Sequence, residues 1–237
     1  GGKEVNTYKV TQNVNPDLKW EKKYEYNLGV DYGFFDNRLT GSLEGYVRNT
    51  KDLLWWYDVP TPPYQYDKLL ANAGEMLSYG VELAVTGVPV QTKDVTWTSS
   101  LTLAWNENII TKLSDPEKGF NYTSSPQGNL YGNKFNGSDS YTQILMEGGK
   151  VGQFYGYKFM GFNDKGEWVY EDQYGGPTAK PTAADKKYLG SAQPAVTYGW
   201  NNTVRYKNLD VTIFLRGVIG NKLLNATRFM YTPDGTD

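Results

Sequence analysis

The sequence predicts an all-β fold of antiparallel, up-and-down strands carried on short turns at one end and long loops at the other. Three observations predict it. Several stretches of roughly ten to twelve residues alternate strictly between apolar and polar side chains, the period of a strand with two different faces. The composition is rich in Tyr (20), Trp (7), Phe (9) and Gly (26), which favours sheets over helices. The connections between alternating stretches are by turns brief and very long.

Residues 1–22 read as a polar loop leading into the sheet, with a turn at Asn15-Pro16. The first hairpin spans 23–49. Tyr24, Tyr26, Leu28, Val30 and Tyr32 share one face of its first strand, and Lys23, Glu25, Asn27, Gly29 and Asp31 the other. Phe34-Phe35-Asp36-Asn37-Arg38 is a tight turn signal. Leu39, Leu43 and Val47 then oppose Thr40, Ser42, Glu44 and Arg48, with Gly41 and Gly45 interrupting the apolar face. Residues 50–77 lack sustained periodicity and are expected to form a long loop.

A second hairpin is expected over 78–106, with Tyr79, Val81, Leu83 and Val85 opposite Glu82 and Thr86. Val95, Trp97, Leu101, Leu103 and Trp105 share the apolar face of its second strand. Residues 107–194 form a very long irregular region, in which 152–162 and 166–170 can pair as a small hairpin across Asn163-Asp164-Lys165. A third hairpin spans 195–218, with Asp210, Thr212 and Arg216 on its polar face, and 219–237 starts a further loop.

Composition excludes several functions. There is no Cys and no His, so a Ser-His-Asp triad, a thiolate zinc site and a cysteine nucleophile are all absent. The net charge of −2 gives no basic footprint for nucleic acid. No apolar run is long enough for a membrane-crossing helix. The alternation of short turns and long loops, of roughly 28 and 88 residues, is instead the asymmetry of an outer-membrane barrel. A soluble carbohydrate-binding or adhesin-like β-sheet domain is the alternative. It requires Leu28, Val81, Leu101 and Ile213 to be buried together. A carboxylate-based glycoside hydrolase is a third, more distant reading.

Ordered blocks add a resemblance. Asn15-Pro16-Asp17-Leu18-Lys19-Trp20-Glu21, a Tyr-Asn-Leu-Gly-Val-Asp strand and Phe-Phe-Asp-Asn-Arg-Leu are followed by Lys51-Asp52-Leu53-Leu54, Asn72-Ala73-Gly74 and Gly80-Val81-Glu82-Leu83. Phe154-Tyr155-Gly156-Tyr157, Gly190-Ser191-Ala192-Gln193-Pro194 and residues 210–217 complete the set. Together they resemble the SusC/RagA-like TonB-dependent transporters of Bacteroidetes outer membranes. The resemblance implies a plugged barrel of about 22 strands, of which this chain carries part of the wall. It also implies import of oligosaccharides or peptides, a SusD-like lipoprotein as lid, outer-membrane lipid around the barrel, and TonB engaged through N-terminal parts outside this sequence. No signal peptide, plug or TonB box is recognisable, so a late-middle segment of the wall is expected.

Under that reading, Glu25, Asp31, Glu44, Arg48, Glu82, Asp210 and Arg216 face the lumen. Trp55, Trp56 and Tyr57 are a stacking platform or lid contact, or else an aromatic girdle at the membrane boundary. Tyr64, Tyr66, Tyr131 and Tyr141, with Tyr122 and Phe135, decorate the loops as candidate contacts for substrate or lid, or pack the loops themselves. Asp164, Glu167, Glu171 and Asp172 could hold calcium but lack a ligand spacing, and solvated loop charges are the plainer reading. No catalytic residue, metal or cofactor is assigned.

Overall fold

The computed structural model describes residues 10–120, 122–130 and 141–231. Four long strands come first: β1 (Lys22–Phe34), β2 (Leu39–Asp58), β3 (Lys68–Gln91) and β4 (Val95–Lys112). Seven short strands follow: β5 (Ser124–Asn129), β6 (Tyr141–Met146), β7 (Gln153–Gly156), β8 (Phe159–Phe162), β9 (Trp168–Glu171), β10 (Pro177–Thr178) and β11 (Lys187–Ser191). Two long strands, β12 (Val196–Tyr206) and β13 (Leu209–Ile219), and a short helix α1 (Ala226–Tyr231) complete the chain. The long strands pair antiparallel in the order β1-β2-β3-β4-β12-β13, an open sheet. The short ones form two small sheets, β11-β7-β6-β5 and β10-β9-β8, on an excursion between β4 and β12.

The register explains the alternation. Directly opposed residues lie on one face of a sheet, so rows can be followed from edge to edge. One row runs Leu28, Gly45, Val81, Trp105, Val196, Ile219; the next runs Val30, Leu43, Leu83, Leu103, Tyr198, Gly217; a third runs Tyr32, Gly41, Val85, Leu101, Trp200, Leu215. Every member is apolar or glycine. On the opposite face most positions are polar or small, as in Gly33, Thr40, Thr86, Ser100 and Asn201, although that row ends on β13 at Phe214 and the row through Glu44 and Glu82 ends at Val218.

Among the described residues no protein layer covers the apolar face. Leu28 is 78% exposed, Ile213 58% and Val81 44%, which removes the soluble-domain reading that needed them buried together. Large contiguous apolar area of this kind marks a surface made for a partner or a membrane.

Local chemistry on that face is consistent with an apolar surrounding. Indole N–H groups there need internal acceptors. Trp200 Nε1 donates to Ser99 Oγ at 2.9 Å and Trp97 Nε1 to Asn202 Oδ1 at 3.2 Å, which accounts for Ser99 and Asn202, two directly opposed polar residues on this face. Gly41, which interrupted the sequence pattern, sits beneath the Tyr32 ring: an added Cβ would lie 2.4 Å from the Tyr32 hydroxyl. Tyrosine over a strand glycine keeps the row covered where no side chain fits.

Turns hold the lower end. Phe35, Asp36 and Asn37 all take positive φ (59, 52 and 63°), a conformation tolerated best by Asn and Asp. Lys207 does the same at the β12–β13 turn, with φ 49°. The upper end carries all the long segments: residues 10–21, the β2–β3 hairpin tip, the excursion and the chain after β13.

Two expected boundaries are corrected here. Residues 50–77 are mostly strand, because β2 continues to Asp58 and β3 begins at Lys68. A bulge between Thr50 and Leu53, with Asp52 at φ 58°, shifts the phase of β2, and a phase shift erases the two-residue period without ending the strand. Residues 107–112, expected in the long loop, extend β4. Within the excursion, β8 and β9 form the small hairpin, whereas Gln153–Gly156 pairs with β6 and β11 instead.

Candidate functional site

The polar face gathers all seven polar-face candidates. Arg48 Nε donates to Glu25 Oε2 at 2.8 Å, across directly opposed positions of β1 and β2. Arg205 Nε donates to Asp210 Oδ1 at 2.8 Å across β12 and β13. Glu44 and Glu82 stand directly opposite each other, a like-charge pair that opposes sheet pairing unless a cation or donor meets it. Asp31 and Arg216 fall in one row at opposite edges of the sheet. A shallow groove of about 350 Å³ runs across this face between Glu44, Glu82, Thr102, Gly199 and Arg216.

Above the wall, the β2–β3 hairpin builds its own core. Tyr57, Leu69, Ala71, Ala73 and Phe120 are all buried together. The Tyr57 ring lies 4.4 Å from Phe120 and 5.2 Å from Tyr122. At 1% exposure, Tyr57 is a packing residue, which corrects its place among the contact candidates. Trp55 and Trp56 remain exposed at 37% and 43%. Tyr122 fastens its loop to the hairpin, its hydroxyl donating to Asp58 O at 3.1 Å and accepting from the Asp58 N–H. Tyr64 is 37% exposed at the hairpin tip. The Tyr66 hydroxyl donates to Val10 O. Tyr131 and Phe135 lie outside the described residues.

A clamp of asparagine side chains ties residues 10–21 to this hairpin. The Asn13 amide donates to Tyr66 O (2.6 Å) and Lys68 O (2.8 Å), and its carbonyl accepts from the Gln65 and Tyr66 N–H groups (both 3.1 Å). Asn15 Nδ2 donates to Leu70 O at 2.9 Å. Asn72, 4% exposed, accepts from Lys19 N (2.9 Å) and donates to Lys19 O (2.9 Å) and Asp52 O (2.7 Å). A primary amide carries the donor and acceptor of a peptide group, so each Asn substitutes for a strand that the segment does not form. Lys19 Nζ also meets Asp52 at 3.1 Å. The Asn-Pro-Asp-Leu-Lys-Trp and Asn-Ala-Gly blocks are therefore two halves of one contact, which their separation in sequence conceals.

The excursion is anchored by carboxylates. Glu147 Oε1 accepts from Leu113 N (2.7 Å), Ser114 N (2.8 Å) and Ser114 Oγ (2.7 Å). The serine hydroxyl, followed by the Leu113 N–H, holds its carboxyl below the usual range. Glu171 meets Lys158 at 2.5 Å and Lys187 at 2.8 Å, and these ammonium groups, Lys158 first, bring it down to about 2. Asp185 is pulled down by the Thr182 N–H at 2.6 Å and the Thr182 hydroxyl at 2.9 Å. Of the calcium candidates, Glu171 is thus neutralised by lysines and Asp172 Oδ1 accepts from the Tyr174 and Gly176 N–H groups. Among the described residues no cluster of three potential metal ligands exists.

Sequence reasoning missed one feature. Tyr141, 38% exposed, opens onto an aromatic cavity whose walls include Tyr157, from the link between β7 and β8, and Phe159, Trp168 and Tyr170 of the β10-β9-β8 sheet. The density of aromatics over residues 154–170 was the available signal.

Comparison with known proteins agrees with this geometry. The family described as TonB dependent receptor-like, β-barrel, matches residues 2–221. TonB-dependent receptor P3 of Formosa agariphila is 32% identical over 244 residues, covering 96% of this chain and 23% of the relative. TonB-dependent receptor SusC of Bacteroides thetaiotaomicron is 31% identical over 211 residues, covering 87% of this chain and 20% of SusC. Among solved structures, the RagAB peptide transporter superposes with a TM-score of 0.71 at 26% identity, over 90% of this chain and 22% of that one. The chain spans about a fifth to a quarter of the length of these relatives. It belongs to the TonB-dependent receptor-like β-barrel family of outer-membrane proteins, as a stretch of barrel wall with the loops it carries.

Proposed function

We propose that this chain is wall and rim of a TonB-driven importer that takes up oligosaccharides or peptides together with a SusD-like surface lipoprotein. The observation that carries the reading is the division of the six-stranded sheet into an uncovered apolar face and a polar face. In that reading the apolar rows meet outer-membrane lipid. The polar face, with Glu25, Asp31, Glu44, Arg48, Glu82, Asp210 and Arg216, lines the lumen. Unpaired edges at β1 and β13 are closed by the remaining wall, since an open edge in hydrocarbon leaves backbone groups unsatisfied.

Opposed Glu44 and Glu82 then face whatever fills the lumen, and basic groups there relieve their repulsion. The upper end, with the hairpin tip and the excursion, is extracellular, following the rule that outer-membrane barrels put long loops outside. Trp55, Trp56, Tyr64, Tyr66 and Tyr141 are exposed or half-buried there and are the residues positioned to meet substrate or lid. The importer reading is supported by the solved relatives, the RagAB peptide transporter and the RagAB peptide importer. The relative named SusC supports the same class. Catalysis has no place in the scheme: receptors of this family bind and translocate.

The test is uptake by the full-length receptor. A deletion strain carrying it on a plasmid should regain growth on an oligosaccharide or peptide mixture as sole nutrient, only with TonB active, and a surface lipoprotein should co-purify. Growth unaffected by deletion on every such nutrient would overturn the proposal.

A further inference from the structure

The apolar face changes character at its upper end. Successive rows across β1 and β2 run Leu28–Gly45, Tyr26–Val47 and Tyr24–Asn49, and the next is Lys22–Lys51, directly opposed. Two ammonium groups in opposed positions repel. Asp52, in the bulge of β2, meets Lys19 at 3.1 Å and Lys22 at 3.9 Å, so one carboxylate serves two cations. Glu21 accepts from the Leu54 N–H at 2.9 Å. On β3 and β4 the same end of the face carries pairs of opposite sign: Glu75 opposes Lys112, and Glu107 meets Lys150 at 2.5 Å. The positive excess sits over β1 and β2.

Below these lysines the face is aromatic, then grooved. Tyr24 is 50% exposed and Tyr26 77%, while Trp20, two residues before Lys22, is 91% exposed. Amphipathic rings beside a row of lysines suit a membrane–water boundary, where lysine stems carry their charge to the headgroups. Further down, a shallow groove of about 440 Å³ is bordered by Tyr26, Leu28, Val47, Val81 and Trp105, with Gly45 between them. Gly45 keeps it open: the atom nearest an added Cβ, Gly80 O, is 3.9 Å away. Tyr26 lies four residues from Lys22, about 13 Å at the rise of a strand.

We propose that Lys22 and Lys51 bind the phosphate of an outer-leaflet lipid, one of whose acyl chains runs past Tyr24 into the groove at Gly45. Ammonium groups make strong charge-assisted hydrogen bonds to phosphate, and an anion there relieves the repulsion of the opposed pair. The groove continues the face that lipid covers, which makes a lipid the occupant and not free phosphate. The site rests on the reading that puts the apolar rows in the outer membrane with the long segments outside.

Binding should be measured by native mass spectrometry on the purified full-length receptor, titrated with monophosphoryl lipid A, the same lipid without its phosphate, and inorganic phosphate. The phosphorylated lipid should bind at least tenfold tighter than the phosphate-free one, and inorganic phosphate should not displace it. Affinity should fall with salt. Lys22→Gln/Lys51→Gln should lose at least tenfold, each lysine near a membrane surface being worth about a factor of five. Lys22→Arg/Lys51→Arg, which keeps both charges, should retain binding and guards against misfolding. Lys165→Gln/Lys180→Gln, the same loss of charge on the excursion, should leave it unaltered. Gly45→Phe, which fills the groove, should weaken it about threefold or more. Equal affinity for the phosphate-free lipid, displacement by inorganic phosphate, or equal loss in the excursion variant would each overturn the site. Receptor dimers abolished by Gly45→Phe would do so too, by making the groove a contact between copies. Cysteine labelling at Leu28 and Val81 separates the two ideas: labelling confined to membrane-soluble reagents, without a phosphate preference, removes this site and keeps the lipid-facing wall, whereas labelling from water removes both.

Discussion

The wall and the rim solve the same problem in opposite ways. Both are β-hairpins of similar composition, yet Leu28 in the wall is 78% exposed and Tyr57 in the rim 1%. The wall leaves its apolar rows for an external phase to cover. The rim folds Phe120 and Tyr122 of the excursion back over the β2–β3 extension and seals a small core. The same strands pass from one regime to the other at the bulge between Thr50 and Leu53. Below that bulge stability comes from the surroundings and the neighbouring strands; above it, from the chain's own packing.

The contrast can be broken first at the wall. Val81→Arg puts a guanidinium in the middle of an apolar row, and in a bilayer should destabilise the full-length barrel by about 2–4 kcal/mol. The same change at Thr203, on the polar face, should cost little. Heat-modifiable mobility on gels reads the folded fraction of each. Equal tolerance at the two positions would place both faces in water.

Tyr57→Ala should be as severe but local. Removing a buried aromatic from a well-packed site costs about 3–5 kcal/mol, here confined to the rim. Hydrogen exchange should rise over residues 53–73 and around Phe120 while β12 and β13 stay protected. A global loss of protection would mean that rim and wall are one cooperative unit.

Asn72→Ala should cost about 0.5–1.5 kcal/mol for each hydrogen bond lost, because the part-buried Lys19 N, Lys19 O and Asp52 O all lose a partner. The readout is release of residues 13–21, seen as faster exchange or proteolysis there. Unaltered protection would remove the clamp.

These sites also show what could be read from the residues alone. Alternation in Tyr24 to Tyr32 and in Val95 to Trp105 gave both faces of the wall, because a period of two survives wherever the register is unbroken. It failed at Asp52, where a positive φ and a bulge shift the phase, so 50–77 looked like a loop. Tyr57 looked like a neighbour of Trp55 and Trp56, although its ring faces the covered side of the hairpin. What covers it, Phe120, lies more than sixty residues away, and no local pattern encodes that contact. The Asn clamp was hidden for the same reason. The polar-face charges were legible one by one, but not the direct opposition of Glu44 and Glu82, which depends on the β2–β3 register.

The smallest effect expected is that of pH on the excursion. Glu171 is lowered to about 2 by Lys158 and Lys187, so its contribution is complete above the ordinary carboxylate value and is lost as pH falls towards 2. Near-ultraviolet circular dichroism should therefore show the excursion loosening between about pH 4.5 and 2. Glu171→Gln should flatten that dependence, and an identical acid transition in the variant would assign it to other groups.

The central claim is that one face of the sheet meets lipid and the other water. Single cysteines can be placed at Leu28, Val81, Leu103 and Ile213, and at Glu44, Glu82, Thr102 and Arg216, in a full-length receptor cleared of other cysteines, this chain having none to remove. With the full-length receptor in native outer membranes, the first set should react only with a membrane-soluble maleimide. The second should react with a small water-soluble one wherever the lumen admits it. Water-soluble labelling of the first set at the rate of the second would contradict the account.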